Sequence, residues 1–296
     1  MKHLAISLVL LTCATAFAEG IANQYPADKD IAKDPSVLFA DDFESGDLSK
    51  WDDKSGTLAV TDDRPNAGTK CAAAPMEKGK NRGGEAKKWF LPGADRVYAR
   101  CYVRFSPDYQ YAHHFLTLLA SPKSDKWRPF GKAGIRPDGS YFNTGMEPWF
   151  AWGKNPPPGE LNFYAYFMDM EPDAKMNKFW GNGYFPPGPG KGQAGSEHRV
   201  LPKLDTWQCW EFMVQANTPG KADGRQTMWL DGKLVGDFPD IRWRDDAQVK
   251  VNCFWLQHYG YDDSDPTRQF HKQKQAVWFD DVVVATQYVG PSAPPK

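Results

Sequence analysis

The segment from Thr206 to Arg244, TWQCWEFMVQANTPGKADGRQTMWLDGKLVGDFPDIRWR, leaves few options for the fold of this chain. Trp207 to Ala216 is a run of β-formers, Asn217 to Gly224 holds two glycines and a proline, and Gln226 to Leu230 resumes the extended pattern. Asp231-Gly232 then closes a tight turn, because a two-residue hairpin loop needs positive φ, which glycine adopts without strain. The spacing predicts three consecutive antiparallel strands.

Alternation with period two recurs along the chain and separates core from outer faces. In Arg96 to Phe105, Val97, Ala99, Cys101, Val103 and Phe105 form the apolar face, leaving Arg96, Tyr98, Arg100, Tyr102 and Arg104 opposite. In Leu161 to Met168, Phe163, Ala165 and Phe167 point inward and Asn162, Tyr164 and Tyr166 outward. Val249 to Gly260 has apolar residues on both faces, as a strand buried on both sides would. Its end supplies Gln257, His258 and Tyr259. Strict alternation sends His113 and His114 to opposite faces, so that only one reaches any groove.

The hairpin residues Asn217 to Gly224, Met228 to Lys233 and Ile241 to Arg244 resemble those of alginate and glucuronan lyase-like proteins with a concanavalin A-like jelly roll. Further likeness lies in Tyr102 to Tyr109, Gly159 to Tyr166 and Trp278 to Gly290. The resemblance implies an all-β fold, a jelly-roll β-sandwich of two antiparallel sheets, one of which grips a polysaccharide. It also implies a Tyr-x-Tyr pair in the groove with one tyrosine in proton transfer, matched here by Tyr164 and Tyr166. The Gly-Gly-Lys-Leu-Pro-Gly type motif of those lyases, with its catalytic lysine, is replaced by His113, His114 and Phe115.

Met1 to Ala18 has a basic start, an apolar run from Leu4 to Leu11 and Ala16-Phe-Ala18 before a cleavage point, the pattern of a secretory leader. A secreted or periplasmic protein is expected, with residues 19–36 as an arm, 37–290 as one polysaccharide-binding domain and 291–296 as a disordered tail. The apolar run is far short of the roughly 20 residues of a membrane-spanning helix. A formal net charge of -1 gives no bulk attraction to nucleic acid or to a membrane surface. A monomer is expected. Cys71, Cys101, Cys209 and Cys253 remain after the leader, an even number that predicts up to two disulfides in one of three pairings.

Eliminative cleavage of a uronic-acid polymer needs a group to neutralise the C6 carboxylate, a base for the C5 proton and an acid for the leaving oxygen. Arg100 and Arg104 are candidates for the first, since guanidinium matches carboxylate. His113, His114, Tyr164 and Tyr166 are candidates for proton transfer. Tyr98, Tyr102, Asn162, Trp149, Trp152, Gln257, His258 and Tyr259 are candidate sugar contacts, the aromatic rings as pyranose platforms. No cofactor is required for this chemistry. Where the first and last strands meet, Asp42, Glu44 and Asp281 are candidate oxygen ligands for a structural calcium ion. A non-catalytic, lectin-like binding protein would use the same groove. Hydrolysis, needing two carboxyl groups about 5 to 9.5 Å apart, has no Glu-x-Asp-x-Glu strand to serve it.

Overall fold

The computed structural model describes residues 19–188, 194–260 and 273–294. The expected leader and the loop from Tyr261 to Asp265 lie outside them. Among the described residues fifteen strands follow one another in chain order. The first eight are β1 (Val37–Asp41), β2 (Asp53–Ser55), β3 (Ala59–Thr61), β4 (Cys71–Met76), β5 (Arg82–Ala94), β6 (Arg96–Phe105), β7 (His114–Pro122) and β8 (Phe142–Trp149). The remainder are β9 (Glu160–Tyr166), β10 (Asn182–Tyr184), β11 (Gln208–Gln215), β12 (Gly224–Leu230), β13 (Lys233–Ile241), β14 (Val249–Tyr259) and β15 (Gln275–Ala285).

Asp231 and Gly232 both have positive φ, 51° and 75°, so the two-residue turn forms as its sequence requires and β11, β12 and β13 run antiparallel. These three edge a sheet ordered β13-β12-β11-β6-β15-β4-β3, with β1 also paired to β15. The second sheet is ordered β10-β9-β8-β7-β14-β5-β2. Every pairing within the two sheets is antiparallel, and the result is a jelly-roll sandwich. The first and last strands are neighbours, Val37 opposite Ala285 and Asp41 opposite Val282.

One apolar core fills the space between the sheets. Val97, Ala99, Cys101, Val103 and Phe105 of β6 enter it, as do Phe163 and Ala165 of β9. The two-sided apolar pattern of β14 has a local cause: register shifts between Val251 and Cys253, so Val249 and Val251 face the core before the shift and Phe254 and Leu256 after it. A β-bulge inserts one residue and exchanges the faces of everything beyond it.

The polar face of β6 does not border a groove. It forms the outer side of the first sheet, and both ends of the described chain lie over it. Short 3-10 turns at Ile21–Gln24, Pro26–Asp28 and Ile31–Lys33 shape the arm, whose Ile21, Ala22 and Ile31 pack with Val283, Ala285 and Val289. Arg100 is fully buried beneath it, paired with the Asp28 carboxylate and donating to the carbonyls of Asp281 at 2.9 Å and Gly290 at 3.3 Å. Arg104 pairs with Asp205 at 2.7 Å, and Arg96 donates to Gln215 Oε1. Tyr98 packs against Trp229 and Tyr288, while the Tyr102 hydroxyl accepts the Ser292 N–H at 2.9 Å. The segment expected to be a disordered tail is therefore held as far as it is described, with Ala293 O accepting the Ala27 N–H at 2.8 Å.

The expectation of disulfides is corrected. Cys71, Cys101, Cys209 and Cys253 are all buried free thiols. Geometry explains this: Cys101 points into the core, its pairing partner on β11 is Trp210 rather than Cys209, and Cys253 lies on the other sheet. Asp42, Glu44 and Asp281 do not gather into a ligand cluster among the described residues. Glu44 is engaged by the Thr69 and Lys70 N–H groups and the Thr69 hydroxyl, Asp42 by Lys50, and Asp281 by the Asn66 amide.

Removing one partner of a buried ion pair strands the other, at a cost of about 3–5 kcal/mol. Arg100→Ala is expected to lower unfolding stability in urea by about that amount while leaving carbohydrate affinity unchanged. A second prediction concerns Asp280, whose carboxyl is pushed up to about 8 by burial and by Asp281 beside it. A native pKa above the unfolded value of about 3.9 means the contribution is complete below that pH and is lost as pH rises through about 8. Asp281→Asn removes the like charge, keeps an acceptor for Asn66 and suits the positive φ of 46°. The urea midpoint of this variant should fall less between about pH 5 and pH 8 than that of the parent.

Candidate functional site

The outward face of the second sheet carries an open cleft, built from alternate residues of neighbouring strands. β7 contributes His114, Thr117 and Leu119, β8 contributes Asn143, Gly145 and Glu147, β9 contributes Tyr164 and Tyr166, and β14 contributes Trp255 and Gln257. Gly145 keeps the floor low: a Cβ there would stand 2.9 Å from Thr117 Oγ1 and 3.2 Å from the Leu116 carbonyl. Phe130 and Lys132 close one side from the loop after β7. That side continues into Trp89 and Trp127, their rings 4.6 Å apart, with the Lys126 ammonium 4.4 Å over Trp89. Lys87 lies beneath, paired with Glu85 at 2.9 Å and Asp53 at 3.1 Å and 4.8 Å from the Trp255 ring.

His114 lines the head of this cleft, and His113, its ring stacked on His114, borders the smaller hollow beside it. Register shifts between β7 and β14 where Leu256 and Tyr259 face Leu116 and His114, and Phe115 and Leu116 are both buried in the core. The local break in alternation turns His114 outward, and His113 precedes the strand, its N–H donating to the Tyr259 carbonyl at 2.6 Å. The imidazoles stack 4.0 Å apart, and Tyr259 lies nearly parallel to His114 at 5.5 Å. The Tyr164 ring is 5.5 Å from His113 and 5.4 Å from His114, with Tyr166 5.7 Å further along β9. Gly181 lies flat on the Tyr164 ring, where a Cβ would come within 2.4 Å.

Electrostatics at this end are set by burial. The Glu147 carboxyl is pushed up by burial, opposed by His114, whose Nδ1 is 3.5 Å from Oε2. Burial and the neighbouring His114 hold His113 well below the usual imidazole range. Burial raises the Tyr164 hydroxyl far above 10, and Tyr166 adds to the shift. A phenol in that state gives up its proton only if positive charge stands beside it.

The structure brings together His113, His114, Tyr164, Tyr166, Gln257 and Tyr259 from the expected set. Trp149 and Trp152 border a smaller hollow beside His113 and Glu147. Asn162 is buried and donates to the Glu147 carbonyl at 3.0 Å. His258 faces inward, between the Tyr109 hydroxyl at 3.1 Å and the Ala74 carbonyl at 2.7 Å. Arg100, Arg104, Tyr98 and Tyr102 sit on the other sheet and take no part. Glu147, Asn143 and Thr117 are cleft residues that the sequence reading passed over. The signal for the first two was present in Phe142 to Trp149, where Asn143, Gly145 and Glu147 alternate with Phe142, Thr144 and Met146 inside a stretch that reads as loop by its Pro and Gly content.

No protein-family model matches the sequence, and no curated protein does. Solved structures do match. Alginate lyase vAL-1 from Chlorella virus superposes with a TM-score of 0.60 at 13% identity, over 85% of this chain and 100% of that one. The alginate lyase Aly36B, as a double mutant in complex with alginate trisaccharide, gives 0.58 at 15% identity over 85% and 98%. Endo-β-1,4-glucuronan lyase from the fungus Trichoderma reesei gives 0.52 at 13% identity over 85% and 96%. The chain shares the jelly-roll fold of alginate and glucuronan lyases. At such identities the likeness carries the fold, and any chemistry has to be argued from the cleft itself.

Proposed function

We infer that the protein is a secreted polysaccharide lyase that binds a uronic-acid-containing polymer across the second sheet and cleaves it by β-elimination. The observation that carries this reading is the meeting of Tyr164 with both imidazoles and Tyr166 at the head of an open, aromatic-walled cleft. The fold shared with alginate and glucuronan lyases supports it.

In this reading Tyr164, as phenolate, takes the C5 proton. The C5–H electron pair becomes the C4=C5 double bond, the C4–O bond breaks, and the departing oxygen takes a proton from the Tyr166 hydroxyl. Asn143 and Gln257 supply amide hydrogen bonds to the sugar, and Phe130 with Trp255 offers apolar faces to neighbouring pyranose rings. The arginines of β6 have no role, being on the other sheet. Hydrolysis is disfavoured because Glu147 is the sole carboxylate among the described residues lining the cleft, where two are needed.

Non-catalytic binding is the second reading, favoured by the raised Tyr164 hydroxyl and by the absence of a guanidinium among the lining residues. Incubation with alginate, glucuronan, pectate and glycosaminoglycans, followed by the absorbance of the unsaturated uronide, separates the two. At least one acidic polymer should yield the signal, and Tyr164→Phe should cut kcat by about 10²- to 10⁴-fold with little change in KM. Binding with no absorbance rise on any polymer would favour the lectin-like reading. Phe130→Ala should raise KM and leave kcat unchanged, as expected for contacts equal in ground and transition states.

A further inference from the structure

We propose that His113, His114 and Glu147 bind one divalent transition-metal ion, Zn²⁺ by the character of the donors, at the head of the cleft. Their candidate ligand atoms all lie within 4.8 Å of one another. Tetrahedral zinc with bonds near 2.0–2.1 Å places its ligands about 3.3 Å apart. The separation of 3.5 Å between His114 Nδ1 and Glu147 Oε2 is already close to that edge. Rotation of side chains by about 1.5 Å at the donor atoms closes the rest of the set.

Donor chemistry points the same way. Two imidazoles and one carboxylate, with a fourth direction open to the cleft, form the ligand class of catalytic zinc sites. A carboxylate as buried as Glu147 is stabilised by a cation, and the partner facing it here is an imidazole. Backbone contacts fix where the three residues start from: the Tyr259 carbonyl accepts the His113 backbone N–H, Asn162 donates to the Glu147 backbone carbonyl, and the Tyr259 ring stacks on His114.

The role of the ion in catalysis rests on the lyase reading. Held by these three residues the ion would lie beside Tyr164 and would supply positive charge next to the phenol and to a bound sugar carboxylate. Binding of the ion itself does not depend on that reading.

The test uses untagged mature protein, stripped with EDTA and dialysed, titrated calorimetrically with ZnCl₂ and in parallel with CaCl₂. The expected result is one equivalent of Zn²⁺, no comparable calcium binding, and an affinity lower by about 100-fold or more in His114→Ala and in Glu147→Gln, each checked for native circular dichroism. Cobalt substitution gives an independent readout, since visible bands of tetrahedral Co²⁺ should appear in the parent and vanish in Glu147→Gln. No zinc heat, or zinc binding unchanged in both variants, overturns the site. Elimination activity that survives complete stripping overturns the catalytic role of the ion and leaves the lyase reading standing. One equivalent of bound zinc with no unsaturated product from any polymer supports the site and sinks the lyase reading.

Discussion

Phe115 is packed among Phe105, Trp210 and Phe279 at ring separations of 5.6, 5.4 and 5.3 Å, and through this contact the two sheets lock together. Phe105 and Phe279 come from β6 and β15, Trp210 from β11, and Phe115 from the second sheet. Burying four large rings in one place contributes several kcal/mol and admits few alternative arrangements. Because Phe115 directly precedes the break in alternation on β7, the same contact fixes where His114 emerges. The head of the cleft is thus set by core packing on the far side of the sheet.

Much of the fold could be read from the sequence because pleat geometry is local. Alternation alone identifies the core-facing residues of β6 and β9, and Asp231-Gly232 fixes its hairpin through backbone conformation. Alternation does not say which sheet a strand joins, nor what covers its outer face. The five polar residues from Arg96 to Arg104 satisfy the pattern of a groove wall and of a covered outer surface equally well. Long-range pairing of Arg100 with Asp28, 72 residues away, decided between them. Bulges are similarly hidden: the two-sided apolar run in β14 and the adjacent histidines both depend on one extra residue in a ladder, and no short motif marks it.

The chemistry of the cleft follows from what burial does to each group. Burial drives the Tyr164 phenol and the Glu147 carboxyl upward and the His113 imidazole downward, so the charged form of each is disfavoured in the same small volume. On the other sheet the opposite condition holds, with Arg100 matched to Asp28 and enclosed. A matched pair gives structure, and an unmatched group is where ligands or reaction intermediates are stabilised.

Both ends of the described chain run across the back of the first sheet, where the Ala22 N–H meets the Val289 carbonyl at 3.0 Å. A carrier domain or surface anchor joined near residue 20 or residue 293 would therefore attach behind the sandwich. The cleft would face away from the support, accessible along its length to a long, stiff polymer.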